Sequence, residues 1–301
     1  MHYVIGTRGS KLALTQAESV KRKLEETYSS DSFEIKIIHT TGDKNPNQAL
    51  ETIGTKGVFT DEIEHQLLSG EIALAVHSMK DMPGEIDGRL TFAKAWERED
   101  PRDVLILKNA GSFSELPQGA VIGTGSKRRA YQLKKLRPDI SVVNIRGNVD
   151  TRIRKLQDET QGLDGIVLAA AGLKRLNREK EITEYLSFDV MIPAPTQGIL
   201  AIETRKDNTE LLKKLDVLAN EEADLAATLE RRFLNEIGGD CHYPMGAYYD
   251  KTGVFYALFG TQDGRKTVSV KKYLKQDGGK ELLAENVNDI VAEIKKRLEE
   301  E

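Results

Sequence analysis

The sequence predicts an α/β protein made of two similar halves and a smaller third module. Short apolar runs alternate with amphipathic stretches over the first two-thirds of the 301 residues, as expected where strands and helices alternate. One series of motifs occurs twice in the same order. The last third changes character, and its long helical stretch followed by two strand candidates predicts an α+β module. The length is sufficient for two or three domains with buried cores.

The elements of the first half follow from hydrophobic periodicity. Short apolar runs predict strands at residues 3–5 and 34–39, and Ala17, Val20 and Leu24 have the helical spacing of a helix that begins after Ser10. A second helix is expected at residues 60–68. The continuous apolar run at residues 72–76 (IALAV) predicts a central parallel strand that is covered on both faces.

The repeated series has three members. Residues 4–11 (VIGTRGSK) resemble residues 121–127 (VIGTGSK), residues 35–42 (IKIIHTTG) resemble 140–147 (ISVVNIRG), and residues 72–80 (IALAVHSMK) resemble 166–174 (IVLAAAGLK). A single pair could arise in any βαβ unit, but three pairs in order favour two similar halves. Such halves predict a cleft between them, with ligand groups at the carboxyl ends of strands. The expected crossovers are residues 96–103 (WEREDPRD) and 191–198 (MIPAPTQG).

A strand is expected at residues 199–203, directly after the second crossover. The final third is then predicted to contain a helix at residues 221–234, strands at 254–259 and 267–273, and a terminal helix at 290–301. Its sole cysteine, Cys241, follows Gly238, Gly239 and Asp240. A lone cysteine is usually a buried apolar residue, but these flanking residues favour an accessible loop. Both interpretations stay open on the residues alone.

Composition excludes several classes of protein. One cysteine excludes an intramolecular disulfide framework and a cysteine-based zinc site, and the histidine spacing shows no metal signature. No apolar stretch approaches ~20 residues, so a cytoplasmic protein without a membrane anchor is expected. The net charge of -4 argues against a protein that coats nucleic acid.

The charge is unevenly distributed along the chain. Residues 121–154 contain nine Lys and Arg against two Asp, a local charge of +7, and only Tyr131 supplies an aromatic ring there. A small anionic ligand therefore fits this segment better than a nucleic acid, which would need a stacking platform. Arg128 and Arg129 follow a glycine turn and leave a helix N-terminus about 100° apart, so both are expected at the rim of one cleft. Their guanidinium groups suit carboxylates or phosphates. The alternatives are a solvated helix face and simple helix caps at Ser10 and Ser126.

Asp81 is a second candidate for chemistry. It directly follows the apolar 72–76 run and the residues His77, Ser78, Met79 and Lys80. A carboxylate at a strand end can transfer protons or stabilise a cation. The alternative is a turn aspartate ahead of Pro83.

Seven motifs together resemble the porphobilinogen deaminase (hydroxymethylbilane synthase) family. They are residues 7–14 (TRGSKLAL), 54–59 (GTKGVF), 75–81 (AVHSMKD), 97–103 (EREDPRD), 146–148 (RGN), 170–176 (AAGLKRL) and the glycine-flanked Cys241. They span nearly the whole chain, and residues 77–81 (HSMKD), 97–103 and 146–148 are highly specific in combination.

The resemblance implies a cytoplasmic, monomeric transferase of tetrapyrrole and heme biosynthesis. It would condense four porphobilinogen molecules head to tail, with release of ammonia, into linear hydroxymethylbilane on a covalent dipyrromethane primer. No metal, nucleic acid or membrane partner is implied. The implied domains are 1–98 plus 194–217, 99–193 and 218–301, of which the first two resemble periplasmic binding proteins and the third carries the cysteine.

The resemblance also assigns site residues. Asp81 is the implied catalytic carboxylate, and Cys241 the thioether attachment point. The implied cofactor-binding residues are Lys56, Lys80, Asp81, Thr124, Ser126, Arg128, Arg129 and Arg146. The implied substrate-binding residues are Arg8, Ser10, Arg146, Arg152, Arg175 and Gln197.

The chain departs from the family pattern at four positions. Gly125 and Lys127 alter the usual GTSSLRR motif, Asp240 replaces a glycine beside Cys241, and Thr196 stands where a glycine is usual. A rival hypothesis is a two-domain module that binds an anionic small molecule without chemistry. Asp81 and a loop cysteine distinguish the enzyme, because a pure binding protein needs neither.

Overall fold

The computed structural model describes residues 1–40, 61–238, 243–275 and 279–300. The chain forms two compact units. The first consists of Met1–Arg98 with Ile199–Asp224, and the second of Glu99–Gly198 with Leu225–Glu301. The chain thus leaves the first unit after Arg98 and returns to it after Gly198, at the two proline-containing segments. The division into three domains with the bounds given above stays a prediction.

The strands, in chain order, are β1 (His2–Thr7), β2 (Ser32–Ile37), β3 (Leu74–Ser78), β4 (Leu90–Phe92), β5 (Asp103–Leu107), β6 (Val121–Gly123), β7 (Ser141–Val143), β8 (Gly165–Ala169), β9 (Glu184–Tyr185), β10 (Leu200–Arg205), β11 (Gly246–Tyr249), β12 (Val254–Gly260) and β13 (Thr267–Tyr273). The described helices are α1 (Lys11–Thr27), α2 (Asp61–Ser69), α3 (Lys127–Leu136), α4 (Val149–Gln157), α5 (Ala170–Arg175), α6 (Thr209–Asp216), α7 (Glu221–Ile237) and α8 (Gly279–Glu300). Single 3-10 turns lie at Met79–Asp81, Phe113–Glu115, Glu159–Gln161 and Glu179–Glu181.

The first unit is built on a mixed five-stranded sheet in the order β2-β1-β3-β10-β4. β1 runs parallel to β2 and β3, whereas β10 runs antiparallel to β3 and β4. The predicted periodicity of α1 is confirmed, because Ala17, Val20 and Leu24 are buried in one core with Ile5 and Leu74. Burial of this stripe, rather than helix propensity, supplies most of the stability of such a helix.

The second unit contains a sheet of the same topology, in the order β7-β6-β8-β5-β9. β6 runs parallel to β7 and β8, and β5 runs antiparallel to β8 and β9. The sequence repeat falls on equivalent strands, since Gly6 pairs with Ala75 across β1 and β3 and Gly123 with Ile166 across β6 and β8. The prediction of two similar halves is confirmed.

A third, antiparallel sheet also belongs to the second unit. Its order is β11-β12-β13, and its core includes Phe233 from α7, Phe255 from β12 and Ile290 from α8. The predicted small α+β module is therefore present. The terminal helix begins at Gly279, not at residue 290, because Leu283 and Val287 extend its buried stripe into this core.

One strand prediction needs correction. The apolar run at 72–76 was expected to be a central parallel strand, but β3 spans Leu74–Ser78 and is parallel on one side only. Ile72 and Ala73 precede the strand, although Ile72 is buried and Ala73 donates its N–H to the carbonyl of Val4 at 2.8 Å. Burial alone therefore does not mark where sheet pairing begins.

Candidate functional site

The first unit places four predicted site residues at one sheet edge. β1 and β3 are parallel, so their carboxyl ends lie on the same side of the sheet. Arg8 and Ser10 follow β1, and Lys80 and Asp81 follow β3. The ends of β1 and β3 therefore bring these four residues to the same side of the sheet.

Ser10 has a clear structural role in this unit. It is the N-cap of α1, and its Oγ accepts a hydrogen bond from the N–H of Ala13 at 3.3 Å. Helix capping by Ser10, which the sequence analysis gave as one alternative, is confirmed. Whether Ser10 also binds substrate stays a prediction.

Asp81 ends a single 3-10 turn that β3 leads into. Met79 is buried in this turn, and its N–H donates to the carbonyl of Ile199 at 3.0 Å, while Asp81 is exposed. A turn aspartate normally accepts a hydrogen bond from nearby backbone, but within the described ranges no such bond is made by the Asp81 carboxylate. Its oxygens are therefore available to a ligand.

A buried pair behind Asp81 was missed by sequence reasoning. His77 on β3 and Glu203 on β10 lie 3.2 Å apart, Nε2 to Oε2, and Glu203 is fully buried. The second oxygen of Glu203 has no hydrogen-bond partner among the described residues. The only sign of this pair in the sequence was His77 within residues 75–81, to which the sequence analysis gave no function.

The second unit arranges its predicted residues in the same way. β6, β7 and β8 are parallel, so the segments after them lie at one sheet edge. These segments carry Thr124, Ser126, Arg128 and Arg129 after β6, Arg146 and Arg152 after β7, and Arg175 after β8. The structure therefore gathers seven predicted binding residues at this edge.

The turn between β6 and α3 is held by its own hydroxyl groups. Thr124 Oγ1 accepts from the N–H of Ser126 at 3.2 Å, and Ser126 Oγ accepts from the N–H of Arg129 at 3.4 Å. Ser126 is thus the N-cap of α3, and the helix cap that the sequence analysis gave as an alternative is confirmed. The two arginines that follow are both buried, whereas the sequence placed them at the rim of a cleft.

Arg128 and Arg129 converge on one carboxylate, that of Asp103 at the start of β5. Arg128 Nη1 donates to Asp103 Oδ2 at 2.6 Å, and Arg129 donates to Asp103 Oδ1 through Nη2 at 2.7 Å and Nε at 3.0 Å. Burial opposes ionisation of Asp103, yet the two guanidinium groups outweigh it and hold the pKa of that carboxyl well below its usual range. Burial lowers the pKa of Arg128.

Arg146 and Arg152 lie at the start of α4. Gly147 has φ +113°, a conformation that L side chains rarely adopt, and Asn148 caps the helix by accepting from the N–H of Thr151 at 2.9 Å. Arg152 Nε donates to the carbonyl of Gly147 at 2.8 Å. The residues 146–148 thus form a turn that brings both arginines to one helix end.

The second crossover is bound tightly to the second unit. Arg175 Nη2 donates to the carbonyl of Gly198 at 2.6 Å. Gln197 is fully buried, and its Nε2 donates to the carbonyl of Pro101 at 2.7 Å and to Asp103 Oδ1 at 2.9 Å. Substrate contacts of Arg175 and Gln197 stay predictions, but both have structural partners here.

Thr196 is the residue that replaces the usual glycine in this crossover. Its φ is +61°, a left-handed value that is strained for a β-branched residue. Its N–H donates to Glu230 Oε2 at 2.6 Å, and Glu230 Oε1 accepts from the N–H of Tyr249 at 2.8 Å. Glu230 therefore joins the crossover to β11.

Several predicted positions lie outside the described residues. These are Lys56, Asp240 and Cys241. The structure describes the elements on either side of the cysteine, since α7 ends at Ile237 and β11 begins at Gly246.

The described part of the chain lacks a metal-binding cluster and a membrane-spanning helix. It contains no cluster of three or more His, Cys, Asp or Glu that could hold a metal ion. It also contains no helix that is long and apolar enough to cross a membrane.

Comparison with known proteins identifies the family. Residues 3–213 match the family model described as porphobilinogen deaminase, dipyrromethane cofactor binding domain. The porphobilinogen deaminase of Lachnospira eligens is 66% identical over 248 residues, 82% of this chain and 84% of the relative. The chain belongs to the porphobilinogen deaminase family. That of Clostridium novyi is 48% identical over 98% of both chains. The resemblance stated from the motifs is thereby confirmed.

Similarity to solved structures is weaker. The periplasmic VFT2 domain of Bordetella pertussis BvgS aligns with a TM-score of 0.44 and 16% identity, covering 75% of this chain and 92% of that domain. The methionine-binding protein MetQ aligns with a TM-score of 0.46 and 14% identity, covering 76% of this chain and 94% of that protein.

The residues at the second sheet edge fit the dipyrromethane cofactor of this family. A dipyrromethane built from porphobilinogen carries acetate and propionate side chains, and arginine forks bind carboxylates. Arg128 uses only Nη1 for its bonds to Asp103 and to the carbonyl of Ile192, so its Nε and Nη2 have no hydrogen-bond partner among the described residues. The donor set is cationic, and within it the Nε and Nη2 groups of Arg128 are not used by any described residue.

Proposed function

We propose that this chain is the transferase that joins four porphobilinogen molecules head to tail, with release of ammonia, into hydroxymethylbilane. The family match over residues 3–213 carries the proposal. The two sheet edges support it, because one presents an available carboxylate at Asp81 and the other a set of arginines. Porphobilinogen and its oligomers are polycarboxylates, so the second edge suits substrate and cofactor alike.

The chain's own residues would divide the work as follows. Arg128, Arg146 and Arg152 bind carboxylates and hold the growing chain in place. Asp81 stabilises the positive charge that develops on the substrate as ammonia leaves, because a fixed carboxylate needs little reorganisation at that moment. Bound dipyrromethane supplies the pyrrole to which the first substrate is joined. We assign its thioether attachment to Cys241, and Lys56 and Lys80 to supporting contacts.

The proposal is tested by intact-protein mass spectrometry together with a product assay. Wild-type chain should carry the mass of one dipyrromethane and release ammonia from porphobilinogen. Cys241→Ala should lack that mass, and Asp81→Ala should keep it while turnover falls by about 100-fold or more.

Asp87→Ala is a matched control for the aspartate variant. Asp87 lies six residues further along the chain and pairs with Arg89 at 2.7 Å, so its loss should leave turnover unchanged. Tight binding of porphobilinogen without release of ammonia would support the rival binding module instead. An unmodified Cys241 in active protein would refute the covalent attachment.

We also propose a cytoplasmic, monomeric enzyme without a nucleic-acid partner, as the family resemblance implies. The cleft expected between the two similar halves stays a prediction. Size-exclusion chromatography with light scattering tests the monomer, and a dimer mass at micromolar concentration would contradict it.

A further inference from the structure

The buried cluster around Asp103 has an unusual composition for an anion-binding edge. Its members are Asp103, Arg128, Arg129 and Gln197, and every one is less than 10% exposed, with values of 0%, 4%, 6% and 0%. The Asp103 carboxylate accepts from all three of the other side chains. A negative charge thus lies among groups whose proposed ligands are also negative.

Coulomb interactions alone would make Asp103 unfavourable for the binding of an anionic ligand at this sheet edge. A carboxylate beside the guanidinium groups cancels part of their charge and repels an incoming carboxylate. It also lies in a buried position, where the removal of water strengthens that repulsion. Its presence in the cluster therefore needs a reason other than charge.

The hydrogen bonds supply a geometric reason, because they treat the two arginines differently. Arg129 donates through all three nitrogens, with Nε and Nη2 on Asp103 and Nη1 on the carbonyl of Val167 at 3.1 Å. Arg128 donates through Nη1 alone, to Asp103 and to the carbonyl of Ile192. Asp103 and the Ile192 carbonyl therefore bind Arg128 through Nη1 only, and the Nε and Nη2 edge, which can bind a carboxylate in a two-point contact, stays open.

The same carboxylate is linked to the second crossover. Gln197 Nε2 donates to Asp103 Oδ1 at 2.9 Å and to the carbonyl of Pro101 at 2.7 Å. Pro101 belongs to the first crossover segment, and Gln197 to the second. The orientation of Arg128 is thus connected through one residue to the two segments at which the chain changes unit.

We propose that Asp103 is a positioning residue that fixes the open edge of Arg128 toward a ligand carboxylate, while Arg129 serves mainly to anchor Asp103. The proposal rests on the proposed function for the identity of the ligand. Asp103 itself touches no substrate. Its contribution is the orientation of a guanidinium group, at the expense of some local positive charge.

The decisive comparison uses Arg129→Met with and without Asp103→Asn. Chain made in a host without porphobilinogen is incubated with porphobilinogen, and the fraction that gains covalent dipyrromethane is measured by intact mass. In Arg129→Met, Asp103 still holds Arg128. In the double variant Arg128 keeps its charge and its bond to the Ile192 carbonyl but loses its ion pair with the Asp103 carboxylate. Charge alone then predicts loading at least as good as in Arg129→Met, whereas positioning by Asp103 predicts a fall of about tenfold or more.

The single variant and its control complete the test. Asp103→Asn should load at least about tenfold less than wild type. Asp100→Asn should load normally, since Asp100 pairs with Arg102 at 2.6 Å and touches neither buried arginine. Equal or better loading of the double variant than of Arg129→Met would overturn the proposal.

Folding is checked by thermal melts of each variant. If Asp103→Asn and the double variant do not fold, Asp103→Glu decides, because it keeps the charge and moves the carboxylate. The proposal requires that Asp103→Glu folds and loads poorly, so normal loading would overturn it. Failure of all three to fold would also overturn it, by making Asp103 a structural residue. Absence of dipyrromethane from wild type would instead refute the proposed function.

Discussion

Gly147 offers the sharpest test of how the turn at residues 146–148 positions its arginines. Its φ is +113°, and a Cβ added there would lie 2.6 Å from Thr151 Cγ2 and 2.8 Å from Thr151 Cβ. Gly147→Ala should therefore cost about 1–3 kcal/mol for the backbone conformation and about 1–3 kcal/mol for the overlap with Thr151. We expect a total loss of about 2–6 kcal/mol in the free energy of unfolding.

Gly162 provides a matched control. It also has a positive φ, +58°, but an added Cβ would meet no atom within 4 Å. Gly162→Ala should lose only about 1–2 kcal/mol. Adding Thr151→Ala to Gly147→Ala removes the 2.6 Å contact and should recover part of the difference.

The assay combines urea unfolding with steady-state kinetics. Because Arg152 Nε is bonded to the carbonyl of Gly147, displacement of the turn should raise KM for porphobilinogen in Gly147→Ala and leave it unchanged in Gly162→Ala. Equal stability losses in the two alanine variants would refute the argument from the Thr151 overlap. An unchanged KM in a destabilised Gly147→Ala would refute the link to the arginines.

Asp103 and Arg175 in the second unit each contribute a measurable share of the stability. Because folding lowers the pKa of Asp103, its contribution to stability is full above the pKa of the unfolded carboxyl, about 4, and is lost as the pH falls below it. The urea midpoints at pH 6 and pH 3 should therefore differ more in wild type than in Asp103→Asn. Equal differences would exclude Asp103 as a cause of the acid destabilisation. Arg175→Met removes the 2.6 Å bond to the Gly198 carbonyl and should lower the free energy of unfolding by about 1.5–3 kcal/mol, whereas an unchanged melt would show that this bond contributes nothing net.

Much of the fold was predictable because its signals are local. The stripe of Ala17, Val20 and Leu24 depends on helical spacing alone, and the glycine turns after β1 and β6 are visible as repeated motifs. The family followed from motifs that remain contiguous in sequence. Element boundaries were predicted less accurately, as the shift of β3 to Leu74–Ser78 shows, because pairing with neighbouring strands decides where a strand begins.

The partners of the site residues could not be predicted in this way. From the sequence, Arg128 and Arg129 were expected at the rim of a cleft, but both are buried against Asp103. Asp103 lies 25 residues from Arg128 and 26 from Arg129 along the chain. Gln197 reaches the same carboxylate over 94 residues. No local pattern specifies such a meeting.

Local signals in the sequence were sufficient to predict the two similar α/β halves, the small third sheet with its helices, the family, and the strand ends that carry Asp81 and the arginines. These features depend on periodicity, caps and motifs within a few residues of one another. The folded structure was needed to show that Arg128 has an open edge and that Asp103 binds its opposite side. It was also needed to show which backbone carbonyls accept from Arg175 and Gln197. Those outcomes depend on burial, because a charge or N–H removed from water must find its partner in whatever chain segment folds beside it.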